Sequence, residues 1–173
     1  MVVNVTMRGI WYPKRPWRLG VLFAVAVLFE TVGGGGFAPS SPAWAESAQT
    51  FEKATVTILS GARRHPFIVE IAKTPEQRQQ GLMGREQVPL NTGMLFVFEH
   101  TEVIHMWMAN TPTSLDMLFA DESGRILRIE SRTEPFSKRI ISSGPPAKLV
   151  LEVRGGTAER LGIVAGDRMQ VLP

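Results

Sequence analysis

The sequence predicts a mainly β (α+β) domain: a small barrel-like or curled antiparallel sheet of about eight strands with two short helices. Three observations predict it. Short β-type runs recur along residues 46–173. Turn signals separate several of them. Only two segments carry the end chemistry of a helix.

The elements follow in chain order. Residues 54–59 (ATVTIL) and 67–72 (FIVEIA) flank SGARRHP, whose glycine and short length indicate a hairpin. Thr74-Pro75-Glu76-Gln77 is a capping-box pattern, with Pro75 suited to the first helical position and Gly81 as the stop. Residues 93–98 (GMLFVF) are apolar at every side chain, as in a strand buried on both faces. Strands at 103–109 and 115–120 come next. DESG (121–124) then turns the chain into 125–130 (RILRIE). Residues 148–153 (KLVLEV) and 168–172 (RMQVL) complete the strands, and between them Thr157 caps a short helix that Gly162 stops.

Residues 1–45 read differently. Arg8, Lys14, Arg15 and Arg18 form a basic region, followed by the apolar run LGVLFAVAVLF (19–29) and a segment ending in Ala43-Trp44-Ala45. Small residues at −3 and −1 mark a signal peptide cut after Ala45. The apolar run falls short of the roughly 20 residues a spanning helix needs. The expectation is export to the periplasm or outside the cell without a permanent membrane anchor. One mostly β domain then occupies 46–173.

Charge argues against nucleic acid. The chain has 19 Lys+Arg and 16 Asp+Glu, but the leader holds four of the former and one of the latter, Glu30. Residues 46–173 therefore carry 15 of each, with no basic run longer than a pair. The absence of cysteine excludes disulfides, thiolate metal sites and a cysteine nucleophile. No Walker loop and no G-x-S-x-G elbow occurs in 46–173. No cofactor is expected.

The stretch 105–119, HMWMANTPTSLDMLF, concentrates the unusual side chains. Successive side chains of a strand point to opposite faces. Ile104, Met106 and Met108 share one face, and His105 and Trp107 the other. Leu115, Met117 and Phe119 share a face opposite Asp116. If the two strands pair, NTPTS connects them, and Trp107, Asn110, Thr111 and Asp116 gather near one sheet end. The methionines read chiefly as core. Met106 and Met108 also form the basis of a Cu(I)-handling alternative, because soft thioethers suit that ion. His65, His100 and His105 have no zinc-ligand spacing. Asp116 has a plainer reading as a brace for backbone N–H groups, and Asn110 as a turn residue.

RQQGLMGRE, GMLFVF, MWMANTPTSLDMLF, GRILRI, SSGPPAKLVLEVRGG and AERLGIVAGDRM occur in one order. Together they resemble the bacterial and archaeal family of domain of unknown function 192, from about Phe67 to Leu172. The family pattern is similar to W-M-K-N-T-x-x-P-L-D. This chain has Ala109 where a lysine is usual and Ser114 where a proline is usual. The resemblance implies a compact, mostly β, often exported domain, and it brings no established reaction. It marks Arg85, Trp107, Asn110, Thr111 and Asp116 as the matching polar pattern.

The leading expectation is a non-enzymatic domain that binds a small molecule or peptide in a groove near Trp107 and Asp116, with Arg85, Asn110 and Thr111 as further contacts. Three alternatives stand beside it: Cu(I) handling through Met106 and Met108, a weak hydrolase using Asp116 with Arg85 or His105, and an envelope interaction module with no pocket.

Overall fold

Alternation of side chains, not helix packing, builds this molecule. The computed structural model describes residues 50–172. The expected signal peptide at 1–45 lies outside them. Among the described residues, no helix is long and apolar enough to cross a membrane.

Among the described residues, nine strands and two helices follow one another: β1 (Glu52–Ser60), β2 (Arg63–Ala72), α1 (Pro75–Gln80), β3 (Thr92–Glu102), β4 (His105–Met106), β5 (Leu115–Ala120), β6 (Ile126–Glu130), β7 (Ile141–Ser142), β8 (Ala147–Arg154), α2 (Thr157–Leu161) and β9 (Arg168–Leu172). Seven strands form one curled, half-barrel sheet in the order β6-β5-β8-β3-β2-β1-β9. Its two edges approach each other. Arg125 bridges Arg168, the Ile126 N–H donates to the Asp167 carbonyl (2.8 Å), and the Met169 N–H donates to the Gly124 carbonyl (2.7 Å).

The sheet is not wholly antiparallel, as the sequence had suggested. β2 and β3 run parallel, Val69 beside Gly93 and Ile71 beside Leu95. A parallel pair needs a long crossover, and the segment containing α1 supplies it. The first hairpin is tighter than its SGARRHP signal implied. Ser60 pairs with Arg63, leaving only Gly61 and Ala62 in the turn. Gly61 has φ +57°, a conformation glycine adopts without steric cost.

The expected strand at 103–109 shrinks to β4, which pairs with β7 in a separate two-stranded sheet. It does not pair with β5, whose neighbours are β6 and β8. β7 was not anticipated, because two residues carry too little pattern to read. The face assignments within 103–108 still hold. Ile104 and Met108 are buried, whereas Val103 and Trp107 are exposed.

Both faces of the sheet are covered. Val56, Ile58, Phe67, Leu95, Leu118, Leu151 and Met169 fill the inner, concave side. Met94, Phe96, Met108, Met117, Phe119 and Val150 form a second core on the other side, under the segments that carry Leu82, Val88, Ile104 and Ile141. β3, β5 and β8 contribute to both, which explains why GMLFVF and LDMLFA have no polar face.

The helices keep their predicted ends with one exception. In α1 the Thr74 hydroxyl accepts from the Gln77 N–H (3.2 Å), and the Gln77 side chain accepts from the Thr74 N–H (3.1 Å), completing the box. α2 starts after Gly156, and Thr157 makes no capping bond. Asp116 of β5 takes that role. Its Oδ1 accepts from the Gly156 N–H (2.9 Å) and its Oδ2 from the Ala158 N–H (2.8 Å).

Candidate functional site

A cavity of about 390 Å³ opens in the second layer, outside the half-barrel. The crossover helix α1 and the residues after it form one wall, through Arg78, Leu82 and Met83. Phe96 and Phe98 of β3 form another, and His105, Met106 and Trp107 line a third side. Trp107 is 47% exposed, so it stands at the rim.

Glu152 of β8 also lines this cavity and is 4% exposed. Its register partners are Met94 on β3 and Met117 on β5, both fully buried. Burial pushes the Glu152 carboxyl up to about 8, because an ionised carboxylate loses water there and gains no cation or hydrogen-bond donor among the described residues in return. At neutral pH it is largely protonated, a hydrogen-bonding group in an apolar setting.

The cavity walls are held by backbone geometry. Asn110 adopts φ +58°, the left-handed turn that asparagine tolerates. Its carbonyl accepts from the Gly84 N–H (2.9 Å), and its side-chain amide points at the Met83 sulfur (4.0 Å). These contacts tie the 107–111 segment to the chain after α1. Arg78 donates to the carbonyls of Lys73 and Val97, the latter at 3.1 Å, and lies 5.1 Å from the centre of the Phe98 ring. Thr111 is buried at the cavity, and its hydroxyl makes a long contact with the Ala109 carbonyl (3.4 Å).

The five residues marked by the sequence therefore separate. Trp107 and Thr111 line the cavity, and Asn110 shapes it from outside. Arg85 does not reach it. That side chain pairs with Glu70 and lines a different, smaller cavity of about 210 Å³ beside Val88 and Pro89. Asp116 does not reach the Trp107 cavity either and matches its plainer reading. It is fully buried, and its oxygens accept from the N–H groups of Arg132 (2.8 Å), Gly156 and Ala158. A carboxylate with three backbone donors is a brace, and this one leaves the sheet on the face away from the cavity.

Two alternative sites come apart for related reasons. Met108 is buried in the second core, and the Thr133 hydroxyl donates to its sulfur (3.1 Å), while Met106 faces the cavity. Met106 packs against the same core that buries Met108, but of the two only Met106 lines the cavity. Asp116, Arg85 and His105 occupy three separate places, so they assemble no hydrolytic centre. Among the described residues, no group of three or more His, Asp or Glu side chains is arranged to hold a metal.

Sequence reasoning missed Glu152, Phe96, Phe98 and Arg78. One signal existed for the first. KLVLEV is apolar on both faces around its centre, so its lone glutamate had to enter a core or a cavity. Which of the two depends on what covers β8, and that cover comes from chain segments remote in sequence.

Several solved structures resemble this fold, two of them as follows. One, described as a putative transcription regulator from Sinorhizobium meliloti 1021, is 42% identical with a TM-score of 0.70, covering 72% of this chain and 97% of that one. The other, a protein of unknown function from Novosphingobium aromaticivorans DSM 12444, is 30% identical with a TM-score of 0.69, covering 79% and 99%. No curated protein matches. The profile of domain of unknown function 192, described as "Uncharacterized ACR, COG1430", matches residues 56–171. The chain belongs to that family.

Proposed function

We propose that this is a small-molecule-binding domain whose site is the cavity between α1, β3 and the 105–111 segment. One observation carries the reading: Glu152, a buried carboxyl group without a protein partner among the described residues, lines a cavity walled by Trp107, Phe96 and Phe98. Ligand pockets combine an apolar lining with a few polar groups, at volumes of roughly 300–1,000 Å³. This one suits a small molecule better than an extended peptide. The leader supports export through a signal peptide cut after Ala45, so the ligand would be met in the periplasm or outside the cell.

A nucleic-acid role, which the description of the S. meliloti neighbour raises, is not favoured. Glu130 engages both Arg128 and Arg139, Glu159 engages Arg132, and Glu70 engages Arg85. These pairs neutralise arginines that would otherwise face phosphate. An interaction module without a pocket is not favoured either, given the cavity.

Native mass spectrometry of the full chain purified from cells tests the proposal. A retained small molecule, lost in Trp107→Ala and Glu152→Gln, is expected. An empty protein that no small aromatic compound stabilises against heat rejects it.

A second reading has its own observation. Met83, Met106 and His105 line one cavity beside Trp107, a soft donor set suited to Cu(I). Competition with a chromophoric Cu(I) chelator decides it, with loss of affinity expected in Met83→Leu and Met106→Leu.

A further inference from the structure

We infer that the cavity takes a small organic cation, an ammonium group on an apolar stem, with the ammonium on the Glu152 carboxylate and the stem against Trp107 and Phe96. This inference rests on the ligand-binding reading above and names the ligand's chemistry.

The geometry supports it in three ways. Glu152 lines the cavity at 4% exposure and receives no stabilising charge or hydrogen bond from the other described residues. An ionised carboxylate so placed is costly unless it is paired, so a ligand carrying a positive charge gains most from this site. An anionic ligand would be repelled wherever the carboxyl is ionised and would gain no ion pair from it where it is protonated. The walls are aromatic, and aromatic faces attract cations. One face in the cavity already does so, since the Arg78 guanidinium lies over Phe98. The guanidinium is bound to backbone carbonyls of Lys73 and Val97, which fixes it away from the role of a counter-ion to Glu152. Among the described residues, no cation lies over the rings of Trp107 or Phe96, which also line the cavity.

Binding has a proton balance. Below about pH 8 the free carboxyl holds a proton. The ammonium enters with its own protons, the Glu152 proton leaves to solvent, and a carboxylate–ammonium ion pair forms. Affinity should therefore fall about tenfold per pH unit below the carboxyl's pKa. Arg78 from α1 and His105 from β4 are the other charged or titratable side chains lining the cavity, while β3 and β5 present Met94, Phe96 and Met117 around Glu152. His105 therefore needs a control variant.

Calorimetry on the full chain with phenethylamine, 2-phenylethanol and 3-phenylpropanoate at pH 8 and pH 6 tests the inference. The amine is expected to bind at least about tenfold more tightly than the alcohol at pH 8. At pH 6 it should bind more weakly and release about one proton, measured as a dependence of heat on buffer ionisation. Glu152→Gln should bring amine and alcohol together, and His105→Gln should leave the amine's preference and pH dependence in place. If the alcohol or the carboxylate binds as tightly as the amine, the cavity is a ligand site but not one for cations. An amine preference that survives in Glu152→Gln overturns the assignment of that residue. Failure of all three to bind at millimolar concentration overturns this inference and counts against the ligand-binding reading as well.

Discussion

Asp116 and Glu152 leave neighbouring strands on opposite faces of the sheet, one register step apart. Asp116 of β5 pairs with Val153 of β8, and Met117 pairs with Glu152. Both carboxyl groups are buried, but their surroundings differ in kind. Asp116 meets three backbone N–H groups at 2.8–2.9 Å around the start of α2. Glu152 meets methionines and a cavity. One carboxylate is satisfied by the fold, and the other is left for a proton or a ligand.

Asp116→Ala should destabilise the domain without altering the cavity. Three backbone donors lose their acceptor, and each unsatisfied buried donor costs roughly 1–3 kcal/mol. A loss of about 3 kcal/mol or more in urea unfolding is expected. Asp116→Asn, which keeps one acceptor oxygen, should lose less, and its ligand binding should match the parent's. A variant of full stability would show that the brace is unimportant.

Glu152 makes stability pH-dependent in the direction opposite to most carboxylates. Its folded pKa, about 8, lies above the ordinary 4.5. The folded state therefore holds the proton more tightly, and stability is greatest below about pH 4.5 as far as this group is concerned. It declines through the window up to about pH 8, at up to about 1.4 kcal/mol per pH unit. Glu152→Gln should remove this decline, so the variant's thermal midpoint should exceed the parent's at pH 8 and approach it at pH 5. Parallel profiles for the two proteins would mean that Glu152 is ionised throughout.

Gly93→Ala tests how closely β3 and β8 are packed at the Glu152 position. A methyl group at Gly93 would overlap the Glu152 carbonyl and touch Val153. That carbonyl belongs to the central strand β8, which is bonded on both sides and has little room to shift. Overpacking typically costs about 1–3 kcal/mol, and here chemical denaturation should give the upper end of that range.

Trp107→Ala and Met108→Ala should separate site from core. Trp107 stands half exposed at the cavity rim, whereas Met108 is fully buried beside Thr133. The first should change unfolding stability by less than about 1 kcal/mol and reduce ligand retention. The second should cost about 2–5 kcal/mol. Equal losses would place Trp107 in the core.

Much of this was legible in short windows of sequence. Thr74 to Gln77 spelled out the start of α1, because a capping box is a local exchange of hydrogen bonds. DESG marked the turn in which Asp121 Oδ1 accepts from the N–H groups of Ser123 (2.9 Å) and Arg125 (3.0 Å). The alternation through 104–108 sorted Ile104 and Met108 from Trp107, even though the regular strand there is only two residues long. The same alternation failed at Asp116. It assigned the correct face to that residue but placed that face at a groove beside Trp107, since a period of two cannot tell a groove from a second core.

The sequence by itself determined the mostly β character, the positions of the turns and helix ends, the family, and Trp107 as a candidate contact. These depend on propensities and hydrogen bonds that span a few residues. Only the tertiary structure decided that β2 and β3 run parallel, that β4 pairs with β7, and that α1 closes a cavity over β3 and β8. It chose the brace over the groove contact for Asp116 and made Glu152 the polar group of the site. The reason is physical. A side chain's face is fixed by its own strand, but its surroundings are fixed by whichever distant segments cover that face.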